Sequence, residues 1–306
     1  MRIWHLVSLL IVFAMLHPAF GEETLSTVSY NIRYNNPADG PDAWPNRAEA
    51  VADYLDDFDL LGLQEVTQGQ LEDLRRRLPD FDYYSVGRND GQKDGEHASI
   101  FFRRSRLEQL RSGTFWLSET PEQAGSQGWD AALPRICSWV LLKDKQTGHQ
   151  FLFANTHFDH LGSQAREQSG ELLRQRASDL PAELPVILTG DFNCLPGSNP
   201  YLAIIEDSSS DAGSLQDARS ASQSPPAGPQ STWCGFSQLA EGRIIDHIFV
   251  RGPLTVRSLQ VDDPRTDEDR FASDHLPVRA VIQIGEAESA GTDSSKSSGR
   301  RGQPKP

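Results

Sequence analysis

The chain has 306 residues, with 43 acidic against 29 basic side chains and a formal net charge of −14 at pH 7. Its 37% hydrophobic and 24% charged residues are those of a soluble globule with a substantial core, one large domain or two small ones, and exclude a disordered or fibrous class. A protein that tracks nucleic acid non-specifically draws its affinity from Lys and Arg against phosphates, so the acidic balance points to a small substrate, local basic patches aside.

In chain order, Arg2 gives a short positive start, Leu6 to Leu16 an apolar stretch too short to span a bilayer, and Ala19-Phe20-Gly21 a small-x-small cleavage site. Residues 1–21 therefore read as a signal peptide cut near Glu22, and the protein as exported (periplasmic or extracellular) with no stable membrane anchor after cleavage. Loss of Arg2 takes the charge from −14 to −15. Leu25 to Asn31 suits a strand. Asn46 to Phe58 carries Ala48, Val51, Ala52 and Leu55 at helical spacing behind Pro45, a favourable first-turn residue. Leu60 to Glu65 reads as a second strand. The same order recurs later: strand-like Phe151 to Thr156, a helix over Ser163 to Asp179 with Ala165, Leu172 and Leu173, and a buried strand over Val186 to Thr189.

Strand, helix, strand normally gives a crossover with parallel strands, so both strand ends emerge at one sheet edge. Asn31 and Glu65 sit at one such pair of ends, His157 and Asp191 at the other. Gln216 to Gln230, with three prolines and few large apolar residues, reads as a surface loop, and residues 285–306 as a disordered tail that cannot repay its ordering entropy. No solenoid-length repeat is present.

Seven islands place Asn, Asp, Glu or His beside apolar runs: SYNIR (29–33), LQEV (63–66), GEHASIFFR (95–103), NTHFDH (155–160), GDFN (190–193), IIDHIFV (244–250) and SDHLPV (273–278). Any one of them could be an ordinary turn. Together, with GDFN preceding SDHLPV, they resemble the endonuclease/exonuclease/phosphatase superfamily, which includes pancreatic-type deoxyribonuclease, over residues 24–284. That resemblance implies an α/β (α+β) fold, a four-layer α/β/β/α sandwich of two mixed sheets flanked by helices, in one catalytic domain spanning residues 22–284. It also implies hydrolysis of phosphate esters with a divalent metal, Mg2+ or Mn2+.

Such hydrolysis needs charge neutralised on the phosphoryl oxygens, a water aimed in line, and help for the leaving oxygen. Hard oxygen donors suit magnesium or manganese, so Glu65 and Asp274 are the carboxylates to place on the ion, with Asn31 beside them. By the same resemblance Asp191 activates or orients water, Asn193 donates to a phosphoryl oxygen, and His275 pairs with Asp246. Glu96 matches the glutamate that partners the histidine at position 157. Arg135 in PRICSWV aligns with a phosphate-contacting arginine, and Arg166 is a second reader. Arg33 and Arg88 are weaker candidates, with surface ion pairing the alternative. His160 and Asp159 could reach the cleft or simply serve the loop.

Trp44 and Trp129 lie in loops rich in Asp, Gly and Pro and are candidate substrate walls, although core packing is the commoner fate of tryptophan. Residues 114–135 form a long irregular stretch of the kind that sets specificity. Cys137, Cys194 and Cys234 lack zinc-ligand spacing; they are either a Cys194–Cys234 disulfide plus one thiol or three buried thiols. The reading is an exported, monomeric, metal-dependent phosphoesterase acting by in-line water attack on a small phosphorylated compound, monoester or diester. The alternative is a secreted deoxyribonuclease-like nuclease, with nucleic acid as its partner; a noncatalytic module on the same fold would be expected to lack some of these polar residues, and none is missing.

Overall fold

The computed structural model describes residues 24–205 and 214–285; the expected signal segment and all but the first residue of the expected tail lie outside them. The first half runs β1 (Leu25–Asn31), α1 (Ala48–Leu55), β2 (Leu60–Val66), α2 (Gln68–Arg77), β3 (Phe81–Tyr84), β4 (His97–Arg103), β5 (Leu107–Trp116) and β6 (Ile136–Asp144). The second runs β7 (Gln150–His157), α3 (Ser163–Ser178), β8 (Val186–Asp191), α4 (Asn199–Ile205), β9 (Gln216–Asp217), α5 (Ala218–Ala221), β10 (Asp246–Arg251), β11 (Leu254–Val261) and β12 (Val278–Ile284).

These strands form two six-stranded sheets, ordered β11-β12-β1-β2-β4-β3 and β5-β6-β7-β8-β10-β9. The two strand–helix–strand units read from the sequence deliver the two parallel pairs, β1 with β2 and β7 with β8; the other pairings are antiparallel. Three apolar layers follow from the period of two along each strand. Leu60, Ile100 and Phe102 of one sheet meet Val140, Phe151, Phe153, Ile187 and Ile248 of the other between the sheets. On the outer faces Val28, Tyr30, Leu61 and Leu63 pack on Val51, Leu55, Leu71 and Leu74 of the first two helices, and Leu188 and Phe249 pack against Leu173, Tyr201 and Ile204 of α3 and α4. The result is the helix, sheet, sheet, helix sandwich.

Toward the strand ends that carry the polar islands, the space between the sheets changes from apolar to polar. Asn155 of β7 donates to the carbonyls of Leu63 at 2.9 Å and Ser99 at 3.0 Å in the opposite sheet, and its Oδ1 accepts from Gln64 Nε2 at 2.7 Å and Thr189 Oγ1 at 3.1 Å. All four partners are buried. Gly62 faces this network, and a Cβ there would stand 2.0 Å from Thr189 Oγ1.

Two helix starts tie loops to the scaffold. Thr67 and Gln70 form a capping box on α2, and the Gln70 amide also accepts from Asn35 N and donates to the Arg33 carbonyl, fixing the loop after β1. The N-terminus of α3 begins at Gly162, which has no capping side chain; Asp130 from the long 114–135 stretch accepts from Gln164 N and Ala165 N instead.

One expectation needs revising, and one open choice is settled. The 216–230 segment opens with β9 and α5, held because the Asp217 side chain accepts from Arg219 N and the Tyr201 hydroxyl; an acidic cap and a buried acceptor outweigh the local composition. The three cysteines are free and buried, with no Cys194–Cys234 bridge. Cys194 belongs to the layer under α3 and α4, whereas Cys234 lies between the sheets and meets the carbonyls of Ser273 and Asp274.

Gly62→Ala should destabilise the protein by about 1–3 kcal/mol through overpacking. Asn155→Ala should cost roughly 1–3 kcal/mol for each buried group it leaves unpaired. Urea unfolding followed by circular dichroism reads both; midpoints equal to that of the parent would mean that the inter-sheet polar layer contributes nothing.

Candidate active site

Alternation along the strands aims the polar islands into the cleft between the sheets. Asn31 ends the inward row of Leu25, Thr27 and Ser29. In the second sheet His157, Asp191 and Asp246 end the inward rows of β7, β8 and β10, and they stand side by side: His157 is registered with Asp191, and Asp191 with Asp246. Glu65 breaks the pattern, since its position would send it outward with Leu61 and Leu63. The ladder between β2 and β4 shifts register between Leu63 and Val66, and Glu65 takes φ +60°, so a bulge turns its side chain toward the cleft. Asn193 likewise adopts φ +47° in the tight turn after β8, with its N–H donating to Asp191 Oδ1 at 3.0 Å.

That turn is braced from behind. Phe192 packs edge-on against Phe158, His247 and Phe249, and the His247 ring nitrogen Nε2 lies 3.1 Å from the Cys194 carbonyl. A residue in the left-handed region persists only where its surroundings hold it.

One half of the site is acidic. Asn31 Nδ2 donates to Glu65 Oε1 and to Asp191 Oδ2, both at 3.0 Å, while Tyr34 N holds Glu65 Oε2 at 3.0 Å. His275 Nδ1 meets Asp246 Oδ2 at 2.9 Å, and its Nε2 stands 3.7 Å from Asp191 Oδ2. Burial works to lower the imidazole's pKa, but Asp246 and Asp191 outweigh it and hold His275 well above the usual histidine range. Burial, with Asp246 adding to it, pushes the Asp191 carboxyl up to about 7. Asp274 is also raised, by burial and then by Glu65, against the pull of His275 and of Arg33, whose guanidinium lies 3.8 Å away.

Carboxylates in excess of their cationic partners, two buried and two partly so, all with hard oxygen donors, fit a divalent cation. One such group of acidic and histidine side chains is drawn together among the described residues. Asp191, Asp246 and His275 each bring an atom within 4.8 Å of the others. There, however, the imidazolium already sits between the two carboxylates. On the Asn31, Glu65 and Asp274 side the cation at hand is Arg33, 3.8 Å from Asp274, and burial, then Glu65, raises the Asp274 carboxyl.

The other half is basic. Arg88 makes a bidentate pair with Glu96 at 2.9 and 3.0 Å, and Arg135 approaches Asp159 at 3.4 Å and His160 Nδ1 at 3.0 Å. Arg135 Nη1 is buried without an acceptor. Arg88, Glu96, Arg135 and His157 line one small cavity of about 10 Å³. Burial, then Arg135 and Arg88, hold the His157 imidazole well below its ordinary value, so this ring is neutral where His275 is charged. Its Nε2 lies 3.3 Å from Asn193 Nδ2 and 3.4 Å from Asp191 Oδ2.

The structure thus gathers Asn31, Glu65, Glu96, Arg135, His157, Asp191, Asn193, Asp246, Asp274 and His275. Arg166 stands behind Arg135, donating to the Asp159 carbonyl at 2.9 Å. Glu96 is 3.9 Å from His157 Nδ1, beyond hydrogen-bond reach, because the fork of Arg88 occupies both of its oxygens. Trp44 is not a substrate wall. It is 4% exposed, packs with α1 and α2, and donates to Asp73 at 3.0 Å. Arg88, a weaker candidate in the sequence, is buried and ion-paired rather than on the surface, and Arg47 was missed, since its place two residues after Pro45 gave no sign that it would be buried.

A profile of the Endonuclease/Exonuclease/phosphatase family matches residues 28–275. No curated protein matches the chain. Among solved structures, an endonuclease/exonuclease/phosphatase from Bacteroides vulgatus is 36% identical, with 86% of this chain and 99% of that one covered at TM-score 0.80. A mannosyl-6-phosphatase from Bacteroides thetaiotaomicron VPI-5482 is 39% identical over 84% of this chain and 99% of that one, at TM-score 0.77. The human Nocturnin catalytic domain, 22% identical over 85% of this chain and 93% of that one at TM-score 0.64, shares the fold. With the matched span reaching from β1 to His275, the chain belongs to the endonuclease/exonuclease/phosphatase family.

Proposed function

We propose that this protein is a divalent-metal-dependent phosphoesterase that hydrolyses a small phosphorylated compound by in-line water attack, with a sugar phosphomonoester as the favoured substrate class. The observation that carries the reading is the line Asp246, His275, Asp191, spaced at 2.9 and 3.7 Å, beside an Asn31 amide shared by Glu65 and Asp191. The 39% identity to a mannosyl-6-phosphatase supports the substrate class.

Magnesium or manganese, held by Glu65 and Asp274 with Asn31 beside them, would supply charge neutralisation on the phosphoryl oxygens. Asp191 orients the attacking water and takes its proton; a carboxyl near 7 suits a base working at neutral pH. The cationic His275, fixed by Asp246, donates to charge that grows on the phosphoryl group in the transition state, and Asn193 adds an amide donor. Neutral His157 stands beside Asp191 and Asn193, its Nε2 3.4 and 3.3 Å away, as an uncharged hydrogen-bonding group on that side of the cleft. Arg135, with a free buried N–H, offers the phosphate a charged donor.

The nuclease alternative rests on the GEHASIFFR and PRICSWV islands. In this structure Arg88 and Arg135 are 8% and 4% exposed and engaged with Glu96 and Asp159, which is not an open basic track for a polyanion. The net charge of −14 weighs the same way. Export and a monomeric state remain part of the proposal on the sequence grounds given above.

With Mg2+ or Mn2+, the protein should release phosphate from mannose 6-phosphate, and EDTA should stop it. Asp191→Asn should lower kcat by about 10²–10⁴-fold with the fold retained by circular dichroism; activity indifferent to both interventions would end the enzyme reading. Loss of the charged Arg135 donor in Arg135→Met, worth about 1.5–3 kcal/mol, should reduce kcat/KM roughly 10- to 100-fold. Nicking of supercoiled plasmid at higher catalytic efficiency than the sugar phosphate would put the nuclease in its place. Cell fractionation with N-terminal sequencing should find the exported chain starting near Glu22, and recovery of the protein with Met1 in the cytosol would refute export.

A further inference from the structure

Arg47 is among the largest fully buried side chains, at 1% exposure, yet every hydrogen-bond acceptor it meets is a main-chain carbonyl. Its Nε donates to Asp42 O at 2.8 Å, Nη2 to Arg33 O at 2.6 Å, and Nη1 both to Ile32 O and to Ala272 O at 3.2 Å, the last 225 residues away along the chain. The guanidinium packs between the rings of Trp44 and Phe236, 5.2 and 5.5 Å from their centroids. Trp44 therefore serves Arg47 and the core.

Arginine keeps its charge in proteins, and a buried charge is costly unless its donors are satisfied by fixed acceptors. The carbonyls that satisfy this one belong to two loops that carry candidate metal ligands. Ile32 and Arg33 directly follow Asn31. Ala272 comes just before Ser273 and Asp274, and Ser273 Oγ closes a second tie by donating to Asn31 O at 2.7 Å.

We propose that Arg47 is the positioning residue of the metal-binding half of the site: its guanidinium locks the loop after β1 to the loop before β12, so that Asp274 and Asn31, with Glu65 held to Asn31, are fixed relative to one another before any ion arrives. The inference rests on the metal-dependent reading above. Arg47 touches neither substrate nor ion in this role; it acts through the carbonyls it holds. A planar fork with five donors can span carbonyls from separate segments, whereas a lysine ammonium cannot reproduce that geometry.

The test is calorimetric titration of the full chain with Mn2+ alone, alongside thermal unfolding in EDTA. Arg47→Lys should weaken Mn2+ binding by about 10- to 100-fold, the range of lost outer-shell support. A folded Arg47→Lys protein that binds Mn2+ like the parent overturns the proposal, because a purely structural arginine would lower metal-free stability and leave affinity alone. Should Arg47→Lys fail to fold, Phe236→Leu, which removes one ring from the guanidinium, carries the test: a several-fold weakening supports the role, and unchanged affinity overturns it. Glu65→Gln is titrated in parallel. If it binds Mn2+ as the parent does, the metal reading falls and takes this inference with it; if it alone loses binding, only the positioning role falls.

Discussion

The single side chain of Asn155 joins the two sheets where the sandwich turns from apolar to polar. Its amide satisfies two carbonyls of the opposite sheet, and its carbonyl collects Gln64 and Thr189. An unpaired polar group in that position would be expensive, and a satisfied one specifies a single register. Register matters here more than stability, because a shift of one residue in either sheet would send a whole row of functional groups to the outer face. The cleft exists where it does because the sheets are held at this spacing and alignment by a network that an apolar layer could not make unique.

Given that registration, the site divides by charge. Glu65, Asp191, Asp246 and Asp274 crowd one half, with His275 and Arg33 as the cations that reach them. Arg88 and Arg135 dominate the other, tempered by Glu96 and Asp159. The two histidines between them end in opposite states: carboxylates outweigh burial and hold His275 charged, whereas burial, with Arg135 and Arg88 adding to it, holds His157 neutral. One fold thus sets two imidazoles apart through burial and neighbours together.

Buried arginine is the recurrent device. Arg47, Arg88 and Arg135 are each nearly inaccessible, and each connects segments distant in sequence or closes a loop on itself. The Gly87–Glu96 loop shows the local form: Arg88 pairs with Glu96 through its side chain and its N–H, and its carbonyl accepts from the Trp116 indole. A carboxylate that the sequence offered to His157 is therefore spent on an arginine eight residues before it.

Sequence alone carried the elements and the gathering of polar groups at strand ends. Hydrophobic period and turn residues are local properties, and β1, α1, β2, β7, α3 and β8 could be read from them nearly to their limits. Asn31, His157 and Asp191 followed from where apolar runs stop, and Asp246 from the family resemblance. What tertiary structure decided is what depends on residues far apart. Glu65 reaches the cleft only through a bulge imposed by pairing with β4, Trp44 turned inward because α2 supplied Asp73 and Arg47 needed a ring, and Glu96 went to Arg88 because the fork was nearer than the imidazole. A spacing pattern reports the face on which a side chain starts; which partner it finds there is settled by distances that exist only once the sheets are packed.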